Sequence, residues 1–371
     1  MDTYLERKPR NLNRKEKIRR IILYSLFGLV SLALLAGVWL SAVKTQRKPY
    51  ILNNFVMDTF VEMKLYGKDR ETAAMAVQSL LERMEQELSC YEPASEISLV
   101  NRFAGKEAVK VSESTYQLLR KAVTYCEQSD GLFDITLAPL TQLWDVTGAD
   151  PQVPAAEEIS SRLGLVGYRR LAFYGDSGKV KLLKESSALD LGGLAKGYAA
   201  DVAAALLLEF DLTGGYLSIG SNLYVLGNHE VGEGSYRFGI RDPRGEANEY
   251  IATLDLRAGC HLATSGDYER YFLKDGVRYH HILDPRTGYP AQSDLISVTV
   301  ITREGTLSDY LSTYFFVAGL DTALEHLDEE EYQLILVDQE KNVYCSPSLL
   351  TGTGGKLKAN TEKAEYTFHF D

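Results

Sequence analysis

Residues 21–43 read IILYSLFGLVSLALLAGVWLSAV and hold no charged side chain. About 20 apolar residues in a helix cross the ~30 Å hydrocarbon core of a bilayer, so this run is long enough to span one. Before it stand Arg7, Lys8, Arg10, Arg14, Lys15, Lys17, Arg19 and Arg20, opposed only by Asp2, Glu6 and Glu16. The positive-inside rule makes residues 1–20 a basic cytoplasmic tail and residues 21–43 a single-pass signal-anchor, and it puts the rest of the chain outside the cytoplasm. Trp39 suits the far interface. A cleaved signal peptide would carry a shorter apolar region, ~7–15 residues, before a small-residue site. Leu40-Ser41-Ala42-Val43 is a poor site, so a retained anchor in the cell membrane is expected. The basic flank, together with the absence of any polar face, argues against a buried core helix.

The remaining chain has room for one large domain or two medium ones, since the whole is 371 residues. A net charge of −11 argues against nucleic acid as a partner. Cys90, Cys126, Cys260 and Cys345 form no CxxC pair, which removes the common zinc and redox readings and leaves free, partly buried thiols as the expectation. Residues 44–53 read as a short polar linker. Alternation predicts strands over 55–66, 216–226, 236–241, 250–256, 268–274 and 296–302, and a hairpin over 332–345. Helical spacing predicts helices over 70–88, 112–128, 155–163, 195–209, 306–318 and 321–327, with Ser112 as an N-cap. No linker interrupts residues 54–345, so they read as one α+β domain. The Gly- and Lys-rich tail 346–371 reads as partly mobile, with 366–370 as a candidate edge strand.

Three segments carry chemistry. In Asp190-Leu191-Gly192-Gly193-Leu194-Ala195-Lys196-Gly197 a strand ends in paired glycines and a helix begins. Free N–H groups at a helix start, close backbone approach at glycine and the Lys196 charge suit a pyrophosphate. A Gly-Gly turn beside a solvated lysine explains the same string. In Thr306-Leu307-Ser308-Asp309-Tyr310-Leu311-Ser312-Thr313, Asp309 and Thr313 lie on one helix face. They are hard oxygen donors suited to Mg²⁺, although a carboxylate in a first helical turn needs no metal to explain it. The third segment runs from Thr264-Ser265-Gly266-Asp267-Tyr268-Glu269-Arg270 to His280-His281-Ile282-Leu283-Asp284-Pro285-Arg286-Thr287-Gly288. Adjacent histidines in a strand face opposite ways, so one of His280 and His281 meets a ligand and takes a proton near neutral pH. Two weaker strings, Cys90-Tyr91-Glu92-Pro93-Ala94-Ser95-Glu96 and Ser129-Asp130-Gly131-Leu132-Phe133-Asp134, offer an aromatic platform and a carboxylate turn.

In this order, together with Met57-Asp58-Thr59, these strings resemble the FAD:protein FMN transferases, the ApbE-type flavin transferases. The likeness runs from about residue 55 to residue 319, and LGGLAKG and HHILDPRTG are its specific strings. The resemblance implies an α+β, ApbE-like (T-fold-like) catalytic domain behind the N-terminal transmembrane helix. It implies Mg²⁺-dependent transfer of FMN from FAD to a Thr or Ser hydroxyl of an extracytoplasmic or membrane redox flavoprotein, with AMP released. Asp309, Thr313 and the carbonyl of Ala195 would hold the metal. His281 would be the general base, with Asp284 as the alternative. Met57, Tyr91, Ser95, Glu96, Asp134, Asp190, Gly192, Gly193, Lys196, Ser265 and Asp267 would contact FAD, with Tyr91 over the isoalloxazine. The chain departs from the pattern at Gly220-Ser221-Asn222, where the family usually carries Gly-Gly-Asp. Two other readings use the same residues: an FAD pyrophosphatase giving FMN and AMP, and a flavin-binding surface protein without catalysis.

Overall fold

The computed structural model describes residues 13–46, 48–227, 235–352 and 354–370, with backbone alone for residues 33–46 and 176. The chain divides into two units, Met1–Lys48 and Pro49–Asp371. In the first, one helix spans Arg14–Gln46. Leu23, Phe27 and Leu29 on it are exposed. Among the described residues no helix is long and apolar enough to cross a membrane. Residues 1–12 and the side chains of 33–43, Trp39 included, lie outside the described residues, so the predicted anchor is described only in part.

The second unit is built on a nine-stranded sheet. Its spatial order is Tyr50–Val56, Thr59–Gly67, Leu212–Ile219, Asn222–Gly227, His261–Gly266, Leu295–Thr302, Gln333–Asp338, Asn342–Cys345 and Thr367–His369. Neighbours pair antiparallel except the last two strands, which are parallel. Side chains alternate between two covered faces. Leu334 and Leu336 enter a core shared with the helices Arg70–Leu88, Ala195–Leu207 and Gly305–Ala318. Ile335 and Val337 point the other way, onto a three-stranded sheet of Gly355–Ala359, Tyr250–Arg257 and Ser235–Arg241. Being covered twice makes Leu295–Thr302 buried at every position.

One crossing sets the site. A Cβ on Gly197 would stand 2.2 Å from the Gly305 carbonyl and 2.6 Å from Asp309 Cβ, and one on Gly305 would stand 2.5 Å from the Gly197 carbonyl. Only glycine on both helices permits that approach, which brings the start of Ala195–Leu207 against Asp309. A small lobe completes the unit: Leu140 and Trp144 of the helix Ala138–Trp144 pack with Ile159 and Leu283. Trp144 Nε1 donates to the Gly288 carbonyl at 2.8 Å.

Several boundaries differ from the sequence expectation. The stretch 44–53 is not all linker, because the first helix runs to Gln46 and a strand starts at Tyr50. Leu52 and Val56 draw that strand onto the core. The 216–226 strand is a hairpin broken at Gly220-Ser221. The tail 346–371 belongs to the domain: Gly355–Ala359 buries Leu357 against Tyr250–Arg257, and Thr367–His369 does form the edge strand. All four cysteines are free thiols.

Candidate active site

A cavity of about 380 Å³ opens between the helix crossing, the first hairpin and the His281 segment. Its floor is Gly192, Gly193, Ala195, Lys196, Asp309 and Thr313. Asp190 shapes that floor. Its Oδ1 accepts the Gly192 N–H at 2.8 Å and its Oδ2 accepts the Thr141 hydroxyl at 3.0 Å. Lys196 Nζ donates back to the Gly192 carbonyl at 2.6 Å. A side chain at Gly193 would meet Phe133 at 3.2 Å and Thr313 Oγ1 at 3.4 Å, so glycine lets the turn lie against the donor helix.

Asp309 and Thr313 stand one turn apart on Gly305–Ala318 and both line the cavity. Asp309 is buried. Its Oδ2 accepts the Gly197 N–H at 2.9 Å and its Oδ1 accepts from Asn222 Nδ2 at 3.1 Å. Ser265 Oγ lies 3.3 Å from Thr313 Oγ1 and 2.9 Å from Ser312 Oγ. Among the described residues no group of three or more His, Cys, Asp or Glu could hold a metal ion. The set here is one carboxylate, one hydroxyl and the Ala195 carbonyl. Its donors are hard oxygens and few, and they fit Mg²⁺, which keeps waters and phosphate oxygens in its shell.

The two histidines part as strand geometry requires. His280 ends the strand Val277–His280 and is buried, with Nε2 donating to the Ala291 carbonyl at 3.0 Å and Nδ1 accepting the Ile282 N–H at 3.3 Å. Burial pushes its pKa down. His281 lines the cavity. Its Nδ1 lies 3.2 Å from the Arg270 carbonyl. A carbonyl only accepts, so Nδ1 carries the proton and Nε2 keeps a lone pair. The ring is open to solvent through the cleft, but protein surrounds its other sides. That desolvation, then His280, Arg270 and Lys196, pushes its pKa down, so the imidazole is neutral at pH 7.

The rim is looser. Met57 and Asp58 both hold left-handed backbone, at φ 56 and 54, which costs a non-glycine residue roughly 1–3 kcal/mol. Glu85 Oε1 accepts the Met57 N–H at 3.0 Å. Arg270 donates to Asp58 Oδ2 at 2.7 Å and to the Asp58 carbonyl at 2.5 Å. Tyr91 stands 69% exposed on the same wall, free to lie over a planar ring.

Four expected contacts lie outside the cavity wall. Ser95 is fully buried as the cap of Glu96–Arg102, accepting the Ser98 N–H at 2.9 Å and donating to the Ser89 carbonyl at 2.5 Å. Glu96 accepts the Ser112 N–H at 2.7 Å and its hydroxyl at 2.9 Å, which ties two helix starts together. Asp267 is held by both Nη atoms of Arg244, each at 2.7 Å. Asp284 accepts the Arg286 N–H and its guanidinium, both at 2.8 Å at the shortest, and closes the turn to Gly288. It does not reach the cavity as an alternative base. Asp134 lines the wall, but its oxygens are taken by Thr136 N–H at 2.7 Å, Thr136 Oγ1 at 2.6 Å and Tyr168 N–H at 2.9 Å. Its carboxylate shapes a loop. Met57, Tyr91, Asp190, Gly192, Gly193, Lys196, Ser265, Ala195, Asp309, Thr313 and His281 do come together. Sequence reasoning missed Glu85, Thr141 and Arg270 as wall residues, and only Arg270 sat within a string already singled out.

A sequence model of the ApbE family matches residues 57–336. Over 303 residues the chain is 31% identical to the FAD:protein FMN transferase of Klebsiella pneumoniae (strain 342), covering 81% of this chain and 93% of that protein. It is 31% identical over 316 residues to the FAD:protein FMN transferase of Treponema pallidum (strain Nichols), covering 81% and 87%. Among solved structures, the ApbE protein of Thermotoga maritima superposes with a TM-score of 0.73 at 35% identity, covering 86% of this chain and 99% of that one. The flavinyl transferase ApbE of Pseudomonas stutzeri gives a TM-score of 0.69 at 27% identity, covering 85% and 95%. With the cavity built from LGGLAKG, the Asp309/Thr313 helix and His281, and with a family match over most of the chain, this protein belongs to the ApbE family.

Proposed function

We propose that this flavin transferase moves FMN from FAD onto a Thr or Ser hydroxyl of a partner protein, with Mg²⁺ assisting and AMP leaving. Membership of the family, at 31% identity to FAD:protein FMN transferases, makes the chain an FAD:protein FMN transferase. The observation that carries the finer reading is the convergence in one cavity of a glycine turn at a helix start, a carboxylate–hydroxyl pair and a neutral histidine.

The acceptor oxygen attacks the FMN phosphorus and a new P–O ester bond forms. The bond from that phosphorus to the bridging oxygen breaks, and AMP departs with its electron pair. His281 Nε2 takes the hydroxyl proton, since Nδ1–H is already bonded to the Arg270 carbonyl. The Gly192-Gly193 turn and Lys196 line the floor where the diphosphate would sit, with Lys196 supplying positive charge, while the N–H groups of Gly192, Leu194, Ala195 and Gly197 are already bonded within the protein. Asp309, Thr313 and the Ala195 carbonyl would hold Mg²⁺, which supplies charge neutralisation at the phosphoryl oxygens. Tyr91 covers the isoalloxazine. The run 21–43 anchors the chain in the cell membrane, and the catalytic unit works outside the cytoplasm on a membrane redox subunit or secreted flavoprotein. The uncharged run and its basic flank support that address.

The full chain in detergent, FAD, Mg²⁺ and a flavin-acceptor domain carrying its threonine make the test, read by intact mass of the acceptor. A gain of one FMN phosphoester, lost with EDTA, is expected. Free FMN and AMP with an unmodified acceptor would replace the transferase mechanism with hydrolysis. No consumption of FAD would overturn the catalytic reading.

A further inference from the structure

Asn222 sits behind the cavity wall, and it is 1% exposed. It opens the strand Asn222–Gly227, paired to Ile219 on one side and Ala263 on the other, so its backbone is held on both sides. Among the described residues its side chain makes one hydrogen bond, from Nδ2 to Asp309 Oδ1 at 3.1 Å. An ionised carboxylate only accepts, so the amide must turn its NH₂ towards Asp309. The cost shows at the other end: Asn222 Oδ1 is buried with no hydrogen-bond partner among the described residues. Buried polar atoms without partners are few in folded proteins, and each calls for a reason. An apolar residue of the same shape would remove the orphaned oxygen, but it would also release Asp309.

We infer that Asn222 is a positioning residue that orients Asp309 for its cation; this rests on the Mg²⁺ reading given above. With the Gly197 N–H on Oδ2 and the Asn222 amide on Oδ1, each oxygen of Asp309 is held by one neutral donor from a different element. A lone pair on each oxygen stays available. The carboxylate plane is therefore set before any cation arrives. Because the amide is uncharged, this layer adds no second negative charge next to Asp309. A carboxylate at position 222 would face another at hydrogen-bond distance with no donor between them.

The test uses the full chain in detergent and Mn²⁺ alone as an EPR-visible probe, without FAD. Losing a group that orients a ligand typically weakens metal binding by about 10–100-fold. N222L, which keeps the shape and removes the donor, is expected to weaken Mn²⁺ binding by that factor while its Tm is held or raised. N222S, which keeps a hydroxyl donor on a smaller side chain, is expected to recover part of the loss, and it serves as the probe should N222L fail to fold. D309N is the control and should abolish binding. Wild-type Mn²⁺ affinity in N222L and N222S, with D309N inert, overturns the Asn222 assignment and leaves the cation site standing. Equal binding by wild type and D309N, or none by wild type, overturns the cation site itself and this inference with it.

Discussion

The floor and the rim of the cavity are built on opposite principles. On the floor, Asp309 is buried and pinned by Gly197 and Asn222, while Asp190 is shared between Gly192 and Thr141. The bonds to Gly197, Asn222 and Thr141 join elements far apart in the chain, and the two on Asp309 are buried, in a low-dielectric setting where each is strong. On the rim, the Met57–Asp58 turn holds left-handed backbone and is tied to Arg270 by an ion pair whose side chains are 68% and 41% exposed. Exposed pairs of this kind are worth about 0–1 kcal/mol. The floor is thus set for atoms that must be placed within a fraction of an ångström, and the rim for groups that enter, stack and leave.

The first way to break this comparison is Asp309→Ala. Cation assistance to charged phosphoryl groups is worth several kcal/mol, so transfer at ordinary Mg²⁺ should fall by about 10³-fold. A steady-state assay over a Mg²⁺ titration checks it, and an unchanged Mg²⁺ dependence would remove Asp309 from the metal site. His281→Ala comes next, with kcat down by about 10²–10⁴-fold and FAD affinity, read by flavin fluorescence, nearly intact. The pH profile sharpens the point. A pKa pushed below the ordinary ~6.5 keeps the base form in place as pH falls through 6.5. Wild-type transfer should therefore stay level there, and a decline centred on 6.5 would show that the ring is not held neutral.

Gly197→Ala tests the crossing that joins the two halves of the floor. The added methyl would press on the Gly305 carbonyl, and overpacking of this kind costs about 1–3 kcal/mol. A lower Tm together with weaker Mg²⁺ dependence is expected, and a wild-type Tm would mean that the helices separate freely. Arg270→Ala should have the smallest effect: a change in stability of at most about 1 kcal/mol and a shift of a few-fold in KM. A loss as large as that of Asp309→Ala would give the rim the same weight in catalysis as the floor.

The site was legible where its residues are contiguous. LGGLAKG announces a glycine turn entering a helix, and Asp309 and Thr313 announce a shared face, because both depend on local periodicity. Strand alternation implied that only one of the paired histidines meets the ligand, and the choice of His281 agrees with where the two rings lie. Ser95, Glu96, Asp267 and Asp284 lie off the cavity wall for a common reason. A polar residue inside a motif either faces the ligand or holds the frame, and local sequence looks alike in both cases. What separates them is a partner elsewhere: Ser112 for Glu96, and Arg244 for Asp267. Asp284 and Ser95 find theirs nearby, but in turns whose geometry composition does not specify.

By itself, the sequence determined the α+β class, the main helices, the order of the chemical segments and that the two adjacent histidines face opposite ways. Each of those follows from short-range spacing, where side-chain direction is tied to backbone period. Only the tertiary structure decided that Gly197 and Gly305 meet, that Asn222 stands behind Asp309, that Arg270 closes on Asp58, and that the C-terminal residues are strands of the domain. Those are contacts between residues tens to hundreds of positions apart. They exist because burial on both faces of one sheet selects a single packing, and no local pattern encodes the partner that such packing supplies.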